Sequence, residues 1–140
     1  MREAHRRPDG ATDDDVEGAG KMTEALERLE RARGHLYAFH QLMGETDLLL
    51  DDVVEALALG GHDELVAALR EDLVGRNVLD GRWTFQIVEE FDDTYWSRFR
   101  EHERRVRDSL TAGRRHVAEA EMKERRRTHG RAHHEAEPST

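Results

Sequence analysis

The sequence predicts an all-α protein: a helical bundle of four to five helices, with a short helical hairpin and a long C-terminal helix. Three observations predict it. Hydrophobic residues recur at steps of three and four along most of the chain, which gathers them on one face of a helix. Only Phe85-Gln86-Ile87-Val88 reads as a short strand-like run. The stretch from Thr84 to Arg127 holds no proline and a single glycine, Gly113.

Taken in order, residues 1–21 read as a disordered extension. They carry Pro8, Gly10, Gly18, Gly20 and three consecutive aspartates, with Val16 the only large hydrophobe after Met1. The folded domain is expected over 22–128. Its first helix runs from about Thr23 to Met43, on a stripe of Met22, Leu26, Leu29, Leu36, Phe39 and Met43. Gly44 is read as its stop. Gly34 inside it costs roughly 1 kcal/mol relative to alanine, which a closely crossing helix would explain. A second helix, about Asp47 to Leu59, is capped by Thr46 or Asp47 and shows a broad face of Leu49, Leu50, Val53, Val54 and Leu57. Gly60-Gly61 stops it, and a third helix from Asp63 to Val74 makes a tight hairpin with it.

A glycine-bracketed loop, 75–82, leads into the long segment. Its stripe is Phe85, Val88, Tyr95, Phe99, His102, Val106 and Leu110. Asp92 falls on that stripe and marks a kink or a polar site. A weak break is expected near Thr111–Gly113. Residues 129–140 read as a disordered tail containing histidine and arginine. A first helix of about 21 residues is about 32 Å long and covers residues 84 to about 105. The remainder needs other cover, and a second copy of the chain supplies it most simply. A homodimer is therefore the expected assembly.

Composition excludes several chemistries. There is no cysteine, so no disulfide, zinc–thiolate or iron–sulfur site and no cysteine nucleophile. Hydrophobic residues make up 36% and charged residues 38%, which leaves material for only a modest core. No apolar run reaches the 18 residues of a membrane helix, and no signal-peptide core is present; a cytoplasmic protein without membrane contact is expected. No phosphate loop, dinucleotide fingerprint or serine elbow occurs, and no cofactor is implied. Charge is bipolar: residues 45–80 hold ten acids against two bases, and residues 98–131 twelve bases against six acids. Solvated helix faces explain this most plainly. Docking of the basic segment on an acidic surface is the sharper alternative.

Three groups of residues are candidate sites. Arg76, Asn77, Arg82, Trp83 and Gln86 surround a loop and a helix start, where a small anionic ligand could be held; anchoring of the loop is the plainer role. Small bundles also house carboxylate–histidine metal sites. No Glu-x-x-His or His-Glu-x-x-His pattern occurs here, and the residues best able to converge are His40, Glu90, His116 and Glu119. Arg125, Arg126, Arg127 and Arg131 could neutralise phosphates of a nucleic acid, although glutamates interleave them and no aromatic side chain is at hand to stack a base. The leading reading is a non-enzymatic helical protein that self-associates through its long C-terminal segment.

Overall fold

The computed structural model describes residues 2–139. A single 3-10 turn at Glu3–His5 precedes α1 (Asp13–Leu59), α2 (Asp63–Asp72) and α3 (Thr84–Phe91). A π-helical turn, Asp92–Trp96, joins α3 to α4 (Ser97–Thr111), and α5 (Val117–Arg126) follows. The fold is an all-α bundle. No strand forms among the described residues; Leu79 and Arg82 make one isolated bridge across a turn. No helix among them is long and apolar enough to cross a membrane. The chain divides into two compact units, Met1–Glu30 with Trp96–Thr140, and Arg31–Tyr95.

The two expected helices before Gly60 are one. α1 begins ten residues earlier than Thr23 and passes through Gly44 without a stop. Its start is capped reciprocally: Thr12 Oγ1 accepts the Asp15 N–H at 3.0 Å, and Asp15 Oδ2 accepts the Thr12 N–H at 3.1 Å. Three aspartates in the first turn suit the positive end of the helix. At Gly44 the groups that were to cap a new helix are used otherwise. Thr46 Oγ1 donates back to the Leu42 carbonyl at 2.7 Å, and Asp47 Oδ1 accepts the Gly75 N–H at 2.9 Å. The real stop is Gly61, left-handed at φ 79°, with the His62 N–H bonded to the Leu57 carbonyl. The hairpin expected around Gly60-Gly61 therefore forms, between the end of α1 and α2.

In the first unit, Val16 and Ala19 of α1 are buried with Val117 of α5 and with Thr111 and Glu103 of α4. The expectation of disorder over 1–21 is thus corrected for residues 13–21, which are helical and supply core. Arg7 reaches Glu121 at 2.9 and 3.1 Å and Asp13 at 2.7 Å, fixing the segment before α1 by contacts that composition cannot reveal. The break near Gly113 is sharp. Ala112 and Gly113 are both left-handed, and the Thr111 hydroxyl lies 3.0 Å from the Arg107 carbonyl and 2.9 Å from that of Arg114. After this turn α5 packs with α1: a Cβ placed on Gly20 would lie 2.9 Å from the Ala118 Cβ. The early start of α1 covers the end of α4, which stops at Thr111, so the C-terminal segment is not the long uncovered rod expected from the sequence.

In the second unit the buried side chains are Val54 of α1, Val66 of α2, and Thr84 and Val88 of α3. Asp92, the polar residue on the stripe, lies where the helix widens. Its carboxylate accepts two hydrogen bonds from Arg33, at 2.8 and 3.0 Å. The π turn inserts one extra residue and so rotates the face that follows. Tyr95 is 56% exposed and His102 is exposed, where the sequence pattern placed both inward. Trp96 and Glu103 take those positions; Glu103 is 6% exposed, with Thr23 Oγ1 3.4 Å away and Arg107 Nε 3.3 Å away.

Gly34 has open space around an added Cβ, so no close crossing explains it. Two substitutions in the same helix should act with opposite sign. Gly34→Ala should raise stability by about 1 kcal/mol through helix propensity. Gly20→Ala gains the same propensity but meets Ala118, an overpacking that costs about 1–3 kcal/mol. Urea unfolding midpoints of the two variants measure the difference; equal midpoints would contradict the close contact at Gly20.

Candidate functional site

The loop singled out in the sequence lies in the second unit and borders a cavity of about 270 Å³. Met43, Leu50, Leu73 and Val78 give it apolar walls, and Trp83, Asp47, Arg76 and Asn77 also line it. Three of the five expected ligand residues are thus brought together: Arg76, Asn77 and Trp83. Arg82 is not among the lining residues; its Nε pairs with Glu90 at 2.6 Å. Gln86 Oε1 accepts the Trp83 N–H at 2.8 Å and so closes the first turn of α3. That cap is one-sided, since an indole offers a donor and no acceptor to the helix. Arg76 is itself paired with Asp72 at 2.6 Å. The cavity is therefore apolar with few uncommitted polar groups, and it suits an aliphatic or aromatic side chain or a small molecule of that size.

The residues expected to gather round a metal are divided between the units. His40, in the second, has Nδ1 2.5 Å from Thr84 Oγ1, and Thr84 is fully buried, so this histidine fixes α3 on α1. Glu90 is taken by Arg82. In the first unit His116 and Glu119 do meet, with Nδ1 3.3 Å from Oε1. Glu27, which the sequence reading did not select, joins them: one ligand atom from each of the three lies within 4.8 Å of the others. Glu27 is missed because it is 89 positions from His116 and belongs to no local motif.

The C-terminal arginines are not equivalent. Arg127 is bound to Glu124 through Nε at 2.8 Å and Nη2 at 2.9 Å. Those bonds hold the Glu124 carboxyl below its usual range. Arg125 borders a groove with Glu27 and Glu119, while Arg126 and Arg131 are exposed. Lys123 Nζ donates to the Ala136 carbonyl at 3.0 Å, and Arg2 Nε to Glu137 at 3.1 Å. Such bonds tie the tail to this unit, and its described residues form no regular helix.

Comparison with known proteins finds no matching family, no matching curated protein and no matching solved structure.

The electrostatic centre of the second unit is Arg33–Asp92. Hydrogen bonds from the guanidinium depress the Asp92 carboxyl below its ordinary value, against a smaller opposing effect of burial. A depressed carboxyl stabilises the fold fully above its unfolded pKa of about 3.9 and loses that contribution as pH falls through the folded value. Asp92→Asn should therefore destabilise the protein at pH 7 by about 1–2 kcal/mol. The gap to the parent should narrow below about pH 5. Urea unfolding from neutral to acid pH checks both statements; a gap that widens toward acid would refute them.

Proposed function

We propose that this protein is a non-enzymatic helical scaffold that self-associates through the second unit. The observation that carries this reading is an apolar stripe left exposed on α1. Phe39, Leu42, Leu49 and Val53 are all exposed, Leu42 and Leu49 at 60% each. With Thr46 they follow steps of three and four, the seam that two helices interdigitate in a coiled coil. A different stripe of the same helix faces its own unit: Leu36, His40, Met43, Asp47, Leu50, Val54 and Leu57 are all at least half-buried. α2 adds exposed Leu65 to the second unit, and Leu73, just past its end, is exposed as well. Apolar residues grouped in this way mark a contact surface, whereas isolated ones do not.

The unit's core supports the same reading. Its buried apolar residues are three valines, Val54, Val66 and Val88, while its leucines and phenylalanines include many of the exposed residues. Burying one such leucine contributes about 1.5–3 kcal/mol. A second copy of this surface would provide the missing cover by placing stripe against stripe. The interface thus lies on α1 instead of the C-terminal segment favoured by the sequence alone.

The acidity of residues 45–80 opposes such a contact, because two copies bring like charges together. Association should therefore tighten as salt rises from about 0.1 M to about 1 M, where the screening length falls from about 10 Å to about 3 Å. Light scattering on the full chain should give a dimer at moderate salt. Leu42→Lys with Leu49→Lys should give a monomer of unchanged helicity, since neither side chain is in the core. A parent that stays monomeric at high micromolar concentration in both salts would end the proposal.

A further inference from the structure

We propose that Glu27, His116 and Glu119 form a binding site for a divalent transition-metal ion, with zinc as the probe that tests it. One atom from each side chain lies within 4.8 Å of the other two; Glu27 stands on α1, while His116 immediately precedes α5 and Glu119 lies in its first turn. Modest inward rotations would bring all three to the roughly 2.0–2.2 Å at which nitrogen and carboxylate oxygen bind zinc. One imidazole and two carboxylates suit zinc, manganese or iron(II); copper(I) prefers sulfur donors, and magnesium prefers oxygen donors alone. All three side chains are exposed, so the remaining positions on the ion are open to water.

Two features favour a cation here over ordinary surface polarity. First, two carboxylates approach each other and no arginine or lysine pairs with either among the described residues. The same helix shows the alternative one turn earlier, where Arg28 pairs with Glu24 at 2.9 Å. In the adjoining groove Glu17 pairs with Lys21 at 3.1 Å and Glu24 with Arg28, which leaves Glu27 and Glu119 as its carboxylates without a lysine or arginine ion pair among the described residues.

Second, His116 is an unusual residue for its place. It precedes α5 in the left-handed region, φ 57° and ψ 30°, and its side chain makes no capping bond to the helix. Asparagine would tolerate that backbone more easily and would also cap. The imidazole instead faces Glu119 and Glu27. A protonated imidazole between the two acids would also hold the cluster together without any metal, and the experiment separates the two cases.

The test titrates zinc into the full chain without an affinity tag, followed by calorimetry. One ion per chain is expected. Glu27→Gln, His116→Asn and Glu119→Gln should each lose about tenfold or more in affinity, at least the effect usual for groups that only support a metal ligand. A chain carrying His129→Asn, His133→Asn and His134→Asn together should bind as the parent does. In the parent, zinc should shift the imidazole NMR signals of His116 and leave those of the tail unmoved, a readout independent of any variant. Absence of saturable one-to-one binding, full affinity in His116→Asn, or zinc shifts confined to the tail histidines would each overturn the site.

Discussion

The constraint on which the rest depends is the continuity of α1. Nothing between the Thr12 cap and the Gly61 stop ends it, and each unit builds on its own stretch: residues 13–30 in one and 31–59 in the other. Continuity is energetically reasonable. An internal glycine costs roughly 1 kcal/mol, and α1 also carries Gly18, Gly20, Gly34 and Gly44. At Gly20 the absence of a side chain is used, since Ala118 occupies the space. At Gly34 and Gly44 it is not, and the helix persists there because its inward stripe stays in phase from Leu36 through Met43 and Leu50 to Leu57.

Such a helix has few large buried anchors. The buried apolar residues across both units are valines and one alanine. Small side chains resist sliding of one helix along another only weakly, because their ridges and grooves are shallow. Polar pairs supply the missing definition of register. His40 meets the fully buried Thr84, Arg33 grips Asp92 with two bonds, Thr23 approaches the buried Glu103, and Trp96 Nε1 donates to Glu30. Each lies at a set height along α1, roughly one to three turns apart. A slip of one turn would leave a buried hydroxyl or carboxylate unpaired, which is dearer than the loss of a valine contact.

Much of this was legible in the sequence. Asp92 on the apolar stripe marks a kink or a polar site, and the π turn falls there; Gly113 marks the break. The hairpin at Gly60-Gly61 and the glycine-bracketed loop were both read from local signals. What failed did so for physical reasons. The Thr12-to-Asp15 capping box was available, but the glycines around it suggested disorder, and the packing of Val16 on α5 is a long-range contact. Gly44 reads locally as a stop, but the in-phase stripe on either side of it carries α1 through. The π turn was anticipated as a kink, yet its change of register, which exchanges Tyr95 for Trp96 and His102 for Glu103, requires knowing that an extra residue is inserted. Of the candidate sites, His116 and Glu119 could be paired by their spacing, while Glu27 could not.

The exposed leucines of α1 also need sorting before they mean anything. Residues in a helix advance by about 100° each, so residues three or seven apart point alike and adjacent residues diverge. Phe39, Leu42, Thr46, Leu49 and Val53 fall on one narrow strip by this measure. Leu48 is more exposed than any of them, at 68%, but it lies well off the strip and has no apolar companion at helical spacing. Single exposed leucines of that kind are ordinary on protein surfaces. The strip is different because each member would have to be hydrated separately in a lone chain, while one matching helix removes all of them from water together. Among the described residues of the first unit no such strip is exposed, and Met122 is the one conspicuous exposed apolar side chain. The two units thus differ in kind: the exposed large apolar side chains gather on the second, while ion pairs such as Arg7–Glu121 and Arg127–Glu124 flank α5 in the first.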